Sequence, residues 1–142
     1  MEPIANLQKK VRIPAAKVRR LARGLLGGRS VSLAFVADAE IRRLNRRYLG
    51  RDRATDVLAF RLQDGPPLPG GLLGEVVVSA ETAAREARLR RLPVEEEILR
   101  YVAHGILHLL GYDDRRPRDR ARMWARQERE LGKVRGRKAP GI

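Results

Sequence analysis

The chain has 142 residues and no cysteine, so disulfides, thiolate metal sites and cysteine nucleophiles are excluded. This length suits one domain with its own hydrophobic core. No apolar run approaches the roughly 20 residues that span a bilayer, and the first residues lack a basic-then-apolar secretory pattern. We therefore expect a cytoplasmic protein that does not enter the membrane.

The net charge is +14, and it comes mainly from arginine, since the chain has 26 arginines and five lysines. Arginine forms paired hydrogen bonds to phosphate and stacks on bases, which lysine does poorly. A strongly basic protein indicates a polyanionic partner. The alternative is an arginine-rich proteome or the ion-pair surface of a thermophile. The excess is concentrated in residues 115–142, with eleven basic and three acidic side chains.

The first part of the chain predicts two strands that alternate with two helices. Residues 4–12 are expected to form a strand, although their alternation is weak. Residues 14–28, which begin with a proline and end with two glycines, have apolar side chains at helical spacing and predict a helix. Residues 30–37 predict a second strand, and Asp38 is expected to cap the next helix. The inner face of that helix is predicted to carry Ile41, Leu44 and Tyr48.

Two more strands and a helix are predicted in the middle of the chain. Residues 56–60 and 73–78 are short apolar segments bounded by turn residues. Between them, the glycine- and proline-rich segment 63–72 predicts an exposed loop. Ser79 can cap the following helix. The inner face of this helix is expected to carry Ala80, Ala83, Ala84 and Ala87.

The last third predicts a buried helix followed by a basic one. Pro93 opens the buried helix, and the segment from Ile98 to Leu110 is apolar nearly all round. The basic helix is predicted over 117–131, and residues 132–142 are expected to be a basic, disordered tail. The inner face of the basic helix is predicted to carry Ala121, Trp124, Ala125 and Leu131.

Interleaved strands and helices predict a single α/β (α+β) domain over residues 1–131. We expect a sheet of about four strands packed on helices, with the apolar helix of residues 98–110 buried at the centre. No internal repeat divides the chain.

Both histidines of the protein, His104 and His108, lie four residues apart within this helix. The spacing places them on one helix face, one turn apart. Gly111 can end the helix in a left-handed cap, after which Asp113 and Asp114 return toward the helix end. Adjacent carboxylates are unfavourable there, and each imidazole must satisfy two ring nitrogens away from water. A bound cation removes both problems, so two histidines and a carboxylate predict a metal site.

The ligand types limit the metal and the chemistry. Two imidazoles and a carboxylate with an open position suit catalytic zinc, and also manganese, iron or nickel. Zinc peptidases of the HExxH class carry a glutamate base after the first histidine, where this chain has Gly105. The usual peptidase base is therefore missing. Water activated by the metal, or another carboxylate such as Asp113 or Glu75, would have to serve instead.

The segment from His104 to Asp113, HGILHLLGYD, resembles the signature of the YbeY endoribonucleases, the rRNA maturation factors of bacteria. Two further segments agree in order and spacing. Residues 44–60 are similar to the family segment that ends in Thr-Asn/Asp-Val-Leu-Ser-Phe, and residues 73–79 resemble its Leu-Gly-Asp-Ile-Val-Ile strand. The resemblance covers about residues 31–131.

This resemblance implies a zincin-like fold with a small sheet around the central helix, and a metal-dependent, single-strand-specific endoribonuclease. It also implies a role in maturation of the 3′ end of small-subunit rRNA and in ribosome quality control, with RNA and the ribosome as partners. The expected cofactor is one Zn²⁺ per chain. The family's third histidine ligand falls at Asp114, so the expected ligands are His104, His108 and Asp114.

A second departure from the family concerns an arginine tied to catalysis, because its position is Leu49 here. Arg47, Arg51 or Arg61 could supply the cation from a neighbouring position, and Arg51 is the first candidate. Leu49 could equally point into the core.

The resulting hypothesis is hydrolysis of an RNA phosphodiester. His104 and Asp113 are assigned to catalysis together with the arginine, Asp113 as a base or as a neighbour of the ligands. One alternative is a ribosome-assembly factor with a structural metal, which Leu49 favours, and another is a metallopeptidase, which Gly105 disfavours. Contacts to the RNA backbone are expected from Arg47, Arg61, Arg115, Arg116 and Arg118.

Overall fold

One mixed β-sheet organises the chain in the computed structural model, which describes residues 4–62 and 71–135. Its strands are β1 (Ile4–Asn6), β2 (Ser30–Val36), β3 (Val57–Arg61) and β4 (Leu72–Ser79). They lie in the order β1-β2-β4-β3. The β1–β2 and β2–β4 pairs are parallel, whereas β3 runs antiparallel to β4 at one edge. The predicted four-stranded sheet is confirmed.

Helices cover both faces of this sheet. In the described ranges they are α1 (Ala15–Leu26), α2 (Asp38–Leu49), α3 (Ala80–Arg90), α4 (Val94–Leu109) and α5 (Pro117–Val134). Helix α2 packs on one face through Ile41 and Leu44. The larger core lies on the other face, where α4 contacts the sheet, α1, α3 and α5. The α+β class and the buried central helix are therefore confirmed. None of these helices is long and apolar enough to cross a bilayer.

Residues of β4 alternate between the two cores, because successive side chains of a strand point to opposite faces. Val76 and Val78 join the larger core, and Val77 joins the cluster under α2. Glu75 is exposed and shares the face of Val77, so it lies across the sheet from α4. This placement removes Glu75 from the candidates for a base beside the histidines.

Helix α4 approaches the sheet closely at Gly105. A Cβ atom added there would lie 2.5 Å from Cγ1 of Val76 and 3.1 Å from Cγ2 of Val57. Both valines are stiff, β-branched side chains, so they cannot turn away from an added methyl group. Gly105, which stands where a zinc peptidase has its glutamate base, therefore also allows α4 to pack closely on the sheet.

The start of the chain differs from the prediction. Strand β1 ends at Asn6 instead of extending to residue 12, because the side chain of Gln8 turns the backbone. Its Nε2 donates to the carbonyl oxygen of Val11 at 2.8 Å, and its Oε1 accepts from the N–H of Val11 at 2.9 Å. Residues 63–70 of the loop predicted at 63–72 lie outside the described residues. Leu72, the last residue of the predicted loop, belongs to β4.

Helix α5 buries a different face from the predicted one. Ala121, Trp124 and Ala125 are exposed, and only Leu131 of the predicted inner set is buried. Two of the residues that are buried in their place are polar. A prediction from hydrophobic spacing assigns polar residues to the surface, so it misses this face. The buried residues of α5 are Met123, Gln127, Glu130, Leu131 and Val134.

An ion pair fixes α5 on the central helix. Arg100 of α4 binds both carboxylate oxygens of Glu128, through Nε and Nη2, at 3.0 Å each. The helix ends at Val134, so the predicted domain boundary at residue 131 falls inside it. Residues 136–142 of the predicted tail lie outside the described residues.

Asp38 does not cap α2, because the N-cap residue is Ala37. Its carboxylate instead links α2 to the start of α3, accepting from Ser79 Oγ at 2.6 Å, Thr82 Oγ1 at 2.8 Å and Arg85 Nη1 at 2.6 Å. Burial alone would raise the pKa of Asp38, but these hydrogen bonds and the arginine charge lower it below its ordinary value. Asp38 is therefore anionic and ties two helices together.

We expect Gly105→Ala to destabilise the protein by about 1 kcal/mol, since overpacking by about 1–3 kcal/mol outweighs a helix-propensity gain of about 1 kcal/mol. Gly132→Ala in α5 is the matched control, because nothing lies within 4 Å of its added Cβ. This control should be neutral or slightly stabilising. Urea unfolding followed by circular dichroism measures both, and equal effects of the two substitutions would contradict the close contact.

Asp38→Asn should lower the free energy of unfolding by about 1–3 kcal/mol at neutral pH, because hydrogen bonds to a charged acceptor are lost. A carboxylate with a lowered folded-state pKa stabilises the fold above its unfolded pKa of 3.8. That contribution disappears as the pH falls through the folded value. The gap between wild type and variant should therefore close in acid. Asp52→Asn, which removes an exposed ion pair with Arg42, should leave stability nearly unchanged throughout.

Candidate metal centre

The two histidines project from the C-terminal half of α4 toward one small volume. Nε2 of His104 lies 3.1 Å from Nε2 of His108, and the rings meet edge to face at 80°. Their side chains are 34% and 36% exposed, although most of the surrounding helix is buried. Both imidazoles can therefore offer a ring nitrogen to the same ligand at the surface.

A tight turn after α4 brings a carboxylate back to the histidines. Gly111 has a φ of +100°, and its N–H donates to the carbonyl oxygen of His108 at 3.0 Å. The N–H of Tyr112 donates to the carbonyl oxygen of Leu107 at 3.0 Å. This pair of bonds is the Schellman motif, which favours glycine at its positive-φ position. The predicted glycine cap is thereby confirmed.

Asp114 completes the cluster. Its Oδ2 lies 3.9 Å from Nε2 of His104 and 3.6 Å from Nε2 of His108. Ligand atoms of a tetrahedral zinc ion are about 3.3 Å apart, so the observed spacings need only small adjustments. All three donor atoms lie within 4.8 Å of one another. The donor set therefore fits a divalent metal ion.

Helix α5 supports this turn from outside. Arg126 donates through Nη1 to the hydroxyl oxygen of Tyr112 at 3.1 Å. Arg120 donates through Nη1 to the carbonyl oxygen of Asp114 at 3.3 Å. One helix thus holds the side chain of Tyr112 and the backbone of Asp114, on the two sides of Asp113. Neither contact was predicted, since both join segments that only the fold brings together.

Burial lowers the pKa of His104, and the neighbouring His108 lowers it further. The carboxylates of Asp56 and Asp114 and a side-chain hydrogen bond with Gln127 oppose this shift. His104 is therefore neutral at physiological pH, which is the form that binds metals. The contribution of Gln127, which is 4% exposed, was not predicted because the inner face of α5 was misassigned.

Arg61 is the arginine that the fold brings to this cluster. Its Nη2 donates to the carbonyl oxygen of His108 at 3.3 Å. Its side chain lines an open cavity of about 440 Å³ together with His108 and Asp114. Strand alternation explains the placement, because Val57 and Ala59 pack toward α4 and Arg61 continues the same face.

Asp113 is engaged with a different partner. Its Oδ2 accepts from Nη2 of Arg115 at 3.0 Å, and its Oδ1 accepts from the backbone N–H of Arg115 at 2.9 Å. These hydrogen bonds lower the pKa of Asp113, and a more acidic carboxyl is a weaker base. The residue lines the cavity but stands outside the cluster of three donors.

Leu49 and Arg51 lie at and just beyond the end of α2. Leu49 is 51% exposed, so it does not point into the core. Arg51 is exposed as well, and its backbone N–H donates to the carbonyl oxygen of Asn45. In the described part of the chain, Arg51 does not line the cavity at the histidines. Of the arginines considered for the catalytic cation, the fold places Arg61 there.

The other arginines predicted to bind RNA are at the surface. Arg47 is exposed and lies over the ring of Tyr48, 5.4 Å from its centroid. Tyr48, predicted on the inner face of α2, is 57% exposed and contacts Phe60 edge to face. Arg115 lines the cavity. The exposed arginines near the end of the turn are Arg115, Arg116 and Arg118.

The mixed sheet and the donors on its central helix define a zincin-like α+β protein with a candidate metal site. The sequence model of the family described as Endoribonuclease YbeY matches residues 3–135. The chain is also 41% identical to the endoribonuclease YbeY of Syntrophotalea carbinolica, over 93% of this chain and 94% of that protein. The chain belongs to the YbeY endoribonuclease family.

Two further comparisons agree with this assignment. The endoribonuclease YbeY of an Anaeromyxobacter species is 55% identical over 75% of this chain and 54% of its own length. The chain therefore spans about half the length of this relative. The solution structure of TM1509 from Thermotoga maritima superposes with a TM-score of 0.65 at 29% identity, covering 92% of this chain and 88% of that one.

Removal of a ligand should weaken metal binding. We expect Asp114→Asn to weaken Zn²⁺ binding by about 100-fold or more, because even residues behind the ligands change affinity about 10–100-fold. Asp113→Asn is the matched control, since it removes the same charge one residue away. It should retain the wild-type affinity. Competition against a chelating dye measures the dissociation constants, and equal constants for the two variants would remove Asp114 from the ligand set.

Proposed function

We propose that this protein is a zinc-dependent endoribonuclease that cleaves single-stranded RNA. We further propose that it acts in the cytoplasm, in maturation of the 3′ end of small-subunit rRNA and in ribosome quality control. Membership of the YbeY family supports the endoribonuclease activity. The observation that carries the proposal is that three metal donors cluster together, and that two of them, His108 and Asp114, line one open cavity with Arg61. The net charge of +14 supports RNA as the polyanionic partner.

His104, His108 and Asp114 would hold the ion through two Nε2 atoms and Oδ2. Within the described residues these three donors leave a fourth tetrahedral position, which is typical of catalytic zinc sites. Zinc bound there supplies Lewis acidity toward a phosphoryl oxygen and lowers the pKa of water. The protein contributes a neutral His104 and a carboxylate whose position is set by the turn at Gly111.

We assign the cationic role at the scissile phosphate to Arg61 in place of Arg51. The bond to the carbonyl oxygen of His108 orients the guanidinium of Arg61 and uses one of its five N–H donors. The remaining donors can bind phosphate oxygens in the cavity and stabilise the negative charge that grows in the transition state. Arg51 has the charge for this role but lies beyond α2.

The remaining basic side chains would bind the RNA backbone without reading its sequence. Arg115 is at the cavity, where Asp113 orients its guanidinium through a two-point contact. We therefore propose Asp113 as a residue that positions Arg115 and not as the base. Exposed arginines of this kind contribute affinity that falls as salt rises.

A ribosome-assembly factor that binds rRNA and holds a structural metal is the second candidate function. Leu49 favours it, because an exposed leucine stands where the resemblance places an arginine tied to catalysis. A metallopeptidase is less favoured. The residue that would carry its base is Gly105, which is packed against Val76 of the sheet.

Cleavage of a labelled single-stranded RNA, with a duplex of the same sequence as reference, tests the proposal. The zinc-loaded wild type should cleave the single strand only. Arg61→Ala should lower kcat/KM by about 100-fold, the usual effect of removing one transition-state donor. Arg51→Ala removes the same charge outside the cavity and should change it by less than about 3-fold.

Each competing function gives a different result in this assay. RNA binding without cleavage by the zinc-loaded wild type would favour the assembly factor. Cleavage of casein without cleavage of RNA would favour the peptidase. Equal losses of kcat/KM in Arg61→Ala and Arg51→Ala would be compatible with the proposed nuclease activity but would contradict the role of Arg61.

A further inference from the structure

We infer that Trp124 is a stacking platform for an unpaired RNA base beside the metal site, an inference that rests on the proposed ribonuclease function. Trp124 is the one tryptophan of the chain, and it is 56% exposed. Tryptophan is a large side chain that is mostly buried in folded proteins. Its exposure on a helix that also presents several arginines to solvent therefore points to a ligand.

Trp124 lies in α5 between two residues that contact the metal site. Arg120, four residues before it, donates to the carbonyl oxygen of Asp114. Gln127, three residues after it, is buried and close enough to His104 to influence the pKa of its imidazole. Residues three and four apart on a helix are neighbours, with Cβ atoms about 5–6 Å apart. Trp124 is therefore a helical neighbour of Arg120, which contacts the backbone of the third metal donor.

The four residues one helical turn from Trp124 leave its ring uncovered. Arg120 reaches the carbonyl oxygen of Asp114, the buried Gln127 donates through Nε2 to Glu128, and Glu128 is held by an arginine of α4. Ala121, the fourth, is exposed and too small to cover an indole. Within residues 4–62 and 71–135, no aromatic ring or cation stacks on Trp124. With 56% of the residue exposed, the indole has accessible surface on which a planar ligand can stack.

The charge around Trp124 favours a nucleic acid over a protein. The exposed basic residues of α5 and its N-cap are Arg116, Arg118, Arg120, Arg122, Arg129 and Lys133. Tryptophan and arginine are both enriched in protein interfaces, but the core of such an interface is depleted in charged residues as a whole. Arginines that bind phosphates around an aromatic ring that stacks a base are the usual combination for single-stranded nucleic acids.

Stacking at this position would also select the substrate. A base in a duplex is stacked on its neighbours, and it must leave them before it can lie on the indole. An unpaired nucleotide needs no such step, so Trp124 would favour single strands and hold one base next to the phosphate at the metal site. The residue is thus proposed to determine specificity and is not a metal ligand.

Tryptophan fluorescence tests this inference directly, because the signal comes from Trp124 alone. The probe is a short single-stranded 2′-O-methyl oligouridylate, compared with the same backbone carrying abasic residues. The wild type should bind the uridylate with quenched fluorescence, and it should bind the abasic strand more weakly and without quenching. Equal quenching by both strands would overturn the inference.

Binding of fluorescein-labelled versions of both strands, followed by anisotropy, separates the variants. Trp124→Ala should bind the uridylate about 5–100-fold more weakly than wild type, the usual range for loss of one stacked base. It should bind the abasic strand as wild type does, and Trp124→Phe should restore most of the uridylate affinity. Leu89→Ala, which truncates a 78% exposed leucine of α3, is the control and should match wild type.

The outcomes distinguish this inference from the proposed function. If the wild type cleaves single-stranded RNA but Trp124→Ala binds the uridylate as tightly as wild type, the inference alone is wrong. If the wild type neither cleaves RNA nor binds the uridylate, the proposed function and the inference both fail.

Discussion

The contact between α4 and the sheet at Gly105 is the constraint on which the candidate site depends. With no side chain between helix and strands, Val76 and Val57 meet the helix backbone directly. Protein interiors are close-packed, so this contact sets the position of the helix axis. The axis in turn sets how far His104 and His108 reach toward the surface. The same approach brings the edge strand β3 beside the end of α4, where Arg61 contacts the carbonyl oxygen of His108.

The second requirement is the return of the chain after α4. Gly111 permits the Schellman turn, but α5 determines where Asp114 comes to rest, through Arg126 on Tyr112 and Arg120 on the Asp114 backbone. An ion pair between α4 and α5 fixes both helices. Helix α5 therefore supports the third metal donor and also presents an exposed tryptophan. Its buried face includes the polar Gln127 and Glu130.

The two departures from the family motif have different consequences. A carboxylate at Asp114 in place of an imidazole keeps a donor within reach of both histidines, so the fit to a metal survives with one unit less positive charge. A leucine at position 49 removes a cation that nothing at the end of α2 replaces at the cavity. Arg61 reaches the same cavity from β3. The site is thus compatible with hydrolysis of a phosphodiester through a different arrangement of the same kinds of group.

Sequence patterns are sufficient to predict the features that depend on near neighbours in the chain. These are the pairing of His104 with His108 one turn apart, the glycine cap at Gly111, the four strands and the helix capped by Ser79. Each follows from a period or a cap that a few consecutive residues specify. Contacts in the folded chain determine which of the three candidate arginines lies at the metal donors, which face of α5 is buried and on which side of the sheet Glu75 lies. Those outcomes depend on contacts between distant segments, and on buried polar residues such as Gln127 that are tolerated because a partner elsewhere satisfies them.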